Sequence, residues 1–168
     1  MTPLVILSAK YLFIVVIVLA VFSLFFEKRK FVKRSALKLA LVSFPLSLIV
    51  ARILSHFIYN ARPFVVEGVK PLIPHVADNG FPSDHTLLAM TISAVIIIYN
   101  RKVGIVLLIL STIVGVARVF AKVHAPVDIL GSAIVAFSSV VAAWIILERV
   151  RPLDLLLDKI LSKFKILI

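Results

Sequence analysis

The chain reads as an all-α, polytopic membrane helix bundle of about five transmembrane helices plus a C-terminal amphipathic interfacial helix. Three observations predict this. Of 168 residues, 62% belong to the hydrophobic set, more than a soluble domain of this size can bury in its own core. The apolar residues fall in runs that, with their flanks, approach the roughly 20 residues a spanning helix needs. The basic residues gather between alternate runs, as the positive-inside rule requires of a membrane protein.

The first run extends from Leu4 to Phe26. Lys10 lies early in it, and Glu27-Lys28-Arg29-Lys30 stands where a small-residue cleavage site would follow a signal peptide, so this helix is expected to be retained. The second runs from Leu39 to Tyr59. A long polar connection follows, from Asn60 to about Pro82, whose Pro63, Gly68, Pro71, Pro74 and Gly80 mark turns and extended chain. The third and fourth runs, Leu87 to Tyr99 and Val103 to Ala117, are separated only by Asn100-Arg101-Lys102 and are expected to form an antiparallel pair. The fifth, Val127 to Leu147, follows the short connection Lys122 to Pro126.

The division is therefore a transmembrane domain over 1–151 and an amphipathic tail over 152–168. In the tail Asp154, Asp158, Lys159, Ser162, Lys163 and Lys165 gather on one half of a helical wheel, opposite Leu153, Leu156, Leu157, Ile160, Leu161, Phe164 and Leu167. Such a helix lies along the cytoplasmic face with lysines toward anionic headgroups, or packs against the inner end of the bundle.

The net charge of +11 would suit a nucleic-acid partner if it formed one patch. It does not. Thirteen of the 19 basic residues fall on one side of a five-helix arrangement, which places that side and the C-terminus in the cytoplasm and the N-terminus outside. No nucleic-acid partner is expected; the partner is the bilayer. There is no cysteine, hence no disulfide, thiolate nucleophile or cysteine metal site.

Ionisable residues at the edge of membrane helices are functional candidates, because their desolvation is costly. Here Arg62, Ser83, Asp84, His85, Arg118, His124 and Asp128 converge on the outer side. Two arginines suit the oxygens of a tetrahedral anion, and two histidines with a carboxylate four residues after one of them can supply nucleophile, acid and orienting group without a metal or cofactor. Ser83 adds a hydroxyl beside the start of the third helix. Arg52 and His56, one helical turn apart with Ser55 nearby, are expected to form a polar network under the site. His75 and Asp78 read as loop-ordering or rim residues, and Asp84 as a partner of Lys122 or Arg62 or as a sensor of a second phosphate's charge.

Arg62-Pro63, Pro82-Ser83-Asp84-His85, and Arg118 followed by His124 and Asp128 resemble, in order, spacing and sidedness, the three signature motifs of the type 2 phosphatidic acid phosphatase superfamily. The resemblance implies a lipid-phosphate phosphatase with His124 as nucleophile, Asp128 orienting it, His85 protonating the leaving oxygen, and Arg62, Arg118 and Ser83 binding phosphate, with no metal. The chain departs from the family pattern at three positions. Ser55 stands where the first motif has a lysine, with Lys122, Lys70 and Arg52 as candidate substitutes; Asp84 replaces a glycine; Ala117 replaces a serine. The aspartate in Phe81-Pro82-Ser83-Asp84-His85-Thr86, with Ala61-Arg62-Pro63-Phe64 and His75-Val76-Ala77-Asp78, resembles the bacitracin-resistance branch. That implies hydrolysis of undecaprenyl diphosphate to undecaprenyl phosphate at the outer face of the bacterial plasma membrane. The alternatives are the same chemistry on another lipid, such as phosphatidylglycerol phosphate or a lipid A phosphate, or a non-catalytic module that only holds a lipid phosphate. Oligomeric state is not legible.

Overall fold

The computed structural model describes residues 2–163, which are helical apart from their connections. Seven helices follow in order: α1 (Thr2–Phe25), α2 (Lys30–Phe57), α3 (Pro63–Val66), α4 (Asp84–Tyr99), α5 (Arg101–Phe120), α6 (Pro126–Arg149) and α7 (Arg151–Ser162). By length and composition α1, α2, α5 and α6 are long and apolar enough to cross a membrane. The fifth expected span, α4, has 16 residues and a length of about 24 Å.

Its short length follows from its place. α4 packs against α1, α2, α5 and α6, and its residues from Thr86 to Ile96 are buried, Leu88 excepted. A helix surrounded by protein need not match the hydrocarbon thickness with its own apolar length. The helices around it turn large side chains outward, Phe22, Leu130 and Ile134 among them, and put small ones inside, including Ser43, Ser47, Ala51, Ser132, Ala136 and Ala143. That inversion characterises helices solvated by lipid, where close backbone approach and interhelical hydrogen bonds replace a hydrophobic drive inward. The chain is a membrane protein.

The α4–α5 hairpin carries both devices. The Ser93 and Ser111 hydroxyls hydrogen-bond at 2.9 Å across it. Near its turn Gly104 lies so close to Ile97 that any Cβ would collide with the Ile97 backbone. The Asn100 side chain accepts from the Val103 N–H and caps the start of α5.

Successive long helices run in opposite directions, so the start of α1, the end of α2, the start of α4, the end of α5 and the start of α6 meet at one end of the bundle. At the other end α7 packs on α2 and α6. Lys38 binds both Asp154 and Asp158, the latter at 3.2 Å, and Arg34 lies 3.9 Å from Asp158. The acidic side of α7 thus faces the bundle, the second of the two seats expected for the tail, while Leu155, Leu156 and Ile160 are exposed. Phe164, Lys165 and Leu167 lie outside the described residues.

Gly104→Val tests the hairpin contact. It should lower the apparent Tm in detergent by several degrees, since overpacking typically costs about 1–3 kcal/mol; an unchanged Tm would contradict the close approach.

Candidate active site

The connection between α2 and α4 folds over the end of the bundle because Asn79 holds it there. Its amide donates to the Ser55 and Ile58 carbonyls, at 2.9 and 2.8 Å, satisfying acceptors that the end of α2 leaves open. Its Oδ1 accepts from the Asn60 and Phe81 N–H groups, both at 3.0 Å. Arg62 lies in this connection and not on the second helix. α2 stops at Phe57, the chain runs extended, and Arg62 precedes Pro63 at the start of α3; a residue before proline disfavours helical backbone.

Asp128, in the first turn of α6, is fully buried. Its Oδ1 accepts from the Asn60 side chain at 2.7 Å, and its Oδ2 from the Ala125 N–H at 2.8 Å. Oδ2 also lies 3.3 Å from His124 Nδ1, which sits 2.9 Å from the Gly80 carbonyl. Two acceptors at Nδ1 select the tautomer protonated there and leave a lone pair on Nε2. Gly80 is required for this, since a Cβ would stand 2.9 Å from Asp128 Oδ2 and 3.0 Å from the Asn60 carbonyl. Burial lowers the His124 pKa and the nearby Arg118 and Arg62 reinforce the shift, with Asp128 opposing it.

The two arginines are buried at 5% and 3% exposure. Arg62 donates through Nε to Asp78 at 2.6 Å and through Nη1 to the Val123 carbonyl at 2.7 Å, with Nη1 3.4 Å from His124 Nε2. Nη2 donates to the Asn79 carbonyl at 3.3 Å. Arg118 donates through Nη1 to the Ala9 carbonyl of α1 at 3.0 Å, its Nη2 lies 3.1 Å from His75 Nε2, and its buried Nε has no partner among the described residues. A buried guanidinium beside a polar cavity suits an arriving oxyanion.

A cavity of about 260 Å³ opens onto this cluster, lined among others by Arg52, Ser55, Arg62, Asp84, His85, Arg118 and His124. His85, in the first turn of α4, packs edge-on against Phe13 of α1. Ser83 is fully buried beneath, where its Oγ accepts from Thr86 at 3.1 Å and retains its own proton for donation. Three expectations are corrected. Asp84 lies 3.9 Å from Arg52, and not beside Lys122 or Arg62; Lys122 pairs at 2.9 Å with Glu67, away from the cavity, because Lys122 turns with φ 63 at the end of α5. His56 is exposed against Phe57, so it forms no network with Arg52. Ser55 lines the cavity, yet its hydroxyl donates to the Arg52 carbonyl of its own helix.

Asn60 and Asn79 carry no motif, whereas His75 and Asp78, read as loop-ordering or rim residues, line the cavity. The spacing of Asn60 and Asn79 carries no signal, because each acts on a partner brought near only by the fold. Among the described residues no group of three or more His, Cys, Asp or Glu side chains is placed to hold a metal ion.

The family model described as PAP2 superfamily matches residues 36–152. The undecaprenyl-diphosphatase BcrC of Bacillus subtilis (strain 168) is 47% identical over 78 residues, 46% of this chain and 40% of that protein. The bacitracin transport permease protein BcrC of Bacillus licheniformis is 35% identical over 101 residues, 60% of this chain and 50% of that protein. The chain thus matches about half the length of these relatives or less. Among solved structures, Aquifex aeolicus LpxE is similar in fold, with a TM-score of 0.64 and 24% identity over 85% of this chain and 82% of that one.

The charge state of His75 gives a pH test. Burial, then Arg62 and Arg118, lowers its pKa to about 4. Between about pH 4 and the unfolded value near 6.5 the unfolded chain binds more protons at this ring, so stability falls as pH drops through that window. His75→Gln should therefore show a shallower fall of apparent Tm from pH 6.5 to 4 than the unaltered protein; equal slopes would contradict the assignment.

Proposed function

Because the chain belongs to the PAP2 superfamily, we propose that it is a membrane lipid-phosphate phosphatase that hydrolyses undecaprenyl diphosphate to undecaprenyl phosphate and orthophosphate through a phosphohistidine. The observation carrying the proposal is the orientation of His124: Nδ1 is taken by the Gly80 carbonyl and Asp128, and Nε2 lies 3.4 Å from Arg62 Nη1. The name carried by the Bacillus subtilis relative supports the substrate.

The terminal phosphate would lie against Arg62 and Arg118, whose guanidiniums neutralise charge on the equatorial oxygens, with the Ser83 hydroxyl as a further donor. The Nε2 lone pair attacks phosphorus, forming the N–P bond. The bond from phosphorus to the bridging oxygen breaks, and its electron pair stays on that oxygen, which takes a proton from the His85 ring. Asp128 stabilises the positive charge that His124 acquires. Water then attacks the phosphoenzyme, His85 takes its proton, the N–P bond returns its electrons to Nε2, and orthophosphate leaves. No step calls for a metal.

The polar groups gather at one end of the bundle, which suits a site entered sideways from one leaflet better than a path through the membrane midplane. In this proposal that end faces outward across the bacterial plasma membrane, and residues 1–151 form the phosphatase domain with 152–168 as its membrane-surface tail.

Phosphate release from undecaprenyl diphosphate in detergent with EDTA, beside phosphatidylglycerol phosphate, tests the reading. Release should be faster from the diphosphate; His124→Ala should abolish it and Asp128→Asn should lower kcat by about 10² or more. Preference for the glycerolipid would replace the substrate, and full activity of His124→Ala would refute the mechanism.

A further inference from the structure

The cavity's leaving-group end is marked by His85, and the residue before it carries a charge that the hydrolysis above does not use. Asp84 Oδ2 lies 3.9 Å from Arg52 Nη2, and both side chains line the cavity. They are the open pair of the site, with side chains 76% and 55% exposed, whereas the Arg62 and His124 side chains are 6% and 3% exposed. From these facts, and resting on the proposed reaction, we infer that Arg52 is the specificity residue for a diphosphate: it leaves Asp84 to bind the non-scissile phosphate, while Arg62 and Arg118 hold the scissile one.

Charge and geometry both argue for this. A diphosphate ester carries more negative charge than a monophosphate, and the cations lining the cavity are Arg52, Arg62 and Arg118. Arg62 is held by Asp78, Val123 and Asn79, and Arg118 by Ala9 and His75 at the level of the nucleophile. Arg52, on α2, is the exposed one of the three, and its partner Asp84 is the residue before His85. Once the scissile phosphate faces His124, the bridging oxygen must face His85, and the second phosphate emerges next to Asp84. An exposed pair at 3.9 Å is weak, so exchanging a carboxylate for a phosphate at a two-pronged guanidinium costs little and gains charge-assisted hydrogen bonds. Asp84 then serves to park the guanidinium over the mouth when no lipid is bound. Ser55, with its hydroxyl turned to its own helix, leaves this wall of the cavity to Arg52.

The test compares two ratios in the full-length protein in detergent. The first is kcat/KM for undecaprenyl diphosphate over that for undecaprenyl phosphate. The second, which needs no turnover, is the affinity for a prenyl methylene-diphosphonate over that for the prenyl monophosphonate, by calorimetry. Arg52→Gln should lower each ratio roughly tenfold to a hundredfold, and Arg52→Lys should restore part of the loss by returning the charge without the fork. Ratios unchanged in Arg52→Gln, or both lipids weakened in parallel, would overturn the inference. Absence of phosphate release with an Arg52-dependent preference for the diphosphonate would sink the hydrolase reading and leave Arg52 as the diphosphate contact.

Discussion

A carboxylate with no access to water must be surrounded by donors, and in this protein Asp128 imposes that demand on two connections at once. The Asn60 side chain comes from the connection after α2, the Ala125 N–H from the turn before α6, and the His124 ring from the same turn. Satisfying one buried anion therefore sets where the two connections lie. Asn79 then closes the longer connection onto the end of α2, and Gly80 brings its carbonyl to His124 with no side chain to obstruct the carboxylate.

The bundle makes such a site tolerable in lipid. Small and hydroxyl side chains let α4 sit among four neighbours, and large apolar ones face outward. Because successive helices alternate in direction, polar termini from all five meet at one end. Arg118 also bonds to the Ala9 carbonyl, so α1, which lies outside the family match at 36–152, is tied directly to the cluster.

Much of this was legible in the sequence for a physical reason. Arg62, His85, Arg118, His124 and Asp128 stand at or just beyond the ends of apolar runs, where a charge is costly. The expected antiparallel pairing of the third and fourth runs across Asn100-Arg101-Lys102 likewise agrees with the α4–α5 hairpin. Asn60 and Asn79 were not legible as site residues, because polar residues in a proline- and glycine-rich connection look alike until the connection is folded. The partner of Asp84 was misjudged for a similar reason: Arg52 lies 32 positions earlier in the chain, and only the packing of α2 on α4 brings the two together. His56 joins the polar network by helical periodicity alone, but its side chain is exposed on α2.

The nucleophile depends on the placement of a single proton. If the Gly80 carbonyl and Asp128 define the histidine, nitrogen NMR of histidine-labelled protein in detergent at pH 8, with the His124 signals identified by their loss in His124→Ala, should show Nδ1 protonated and Nε2 bare. A bare Nδ1 with the proton on Nε2, or a fully protonated ring at that pH, would contradict the arrangement on which the nucleophile depends.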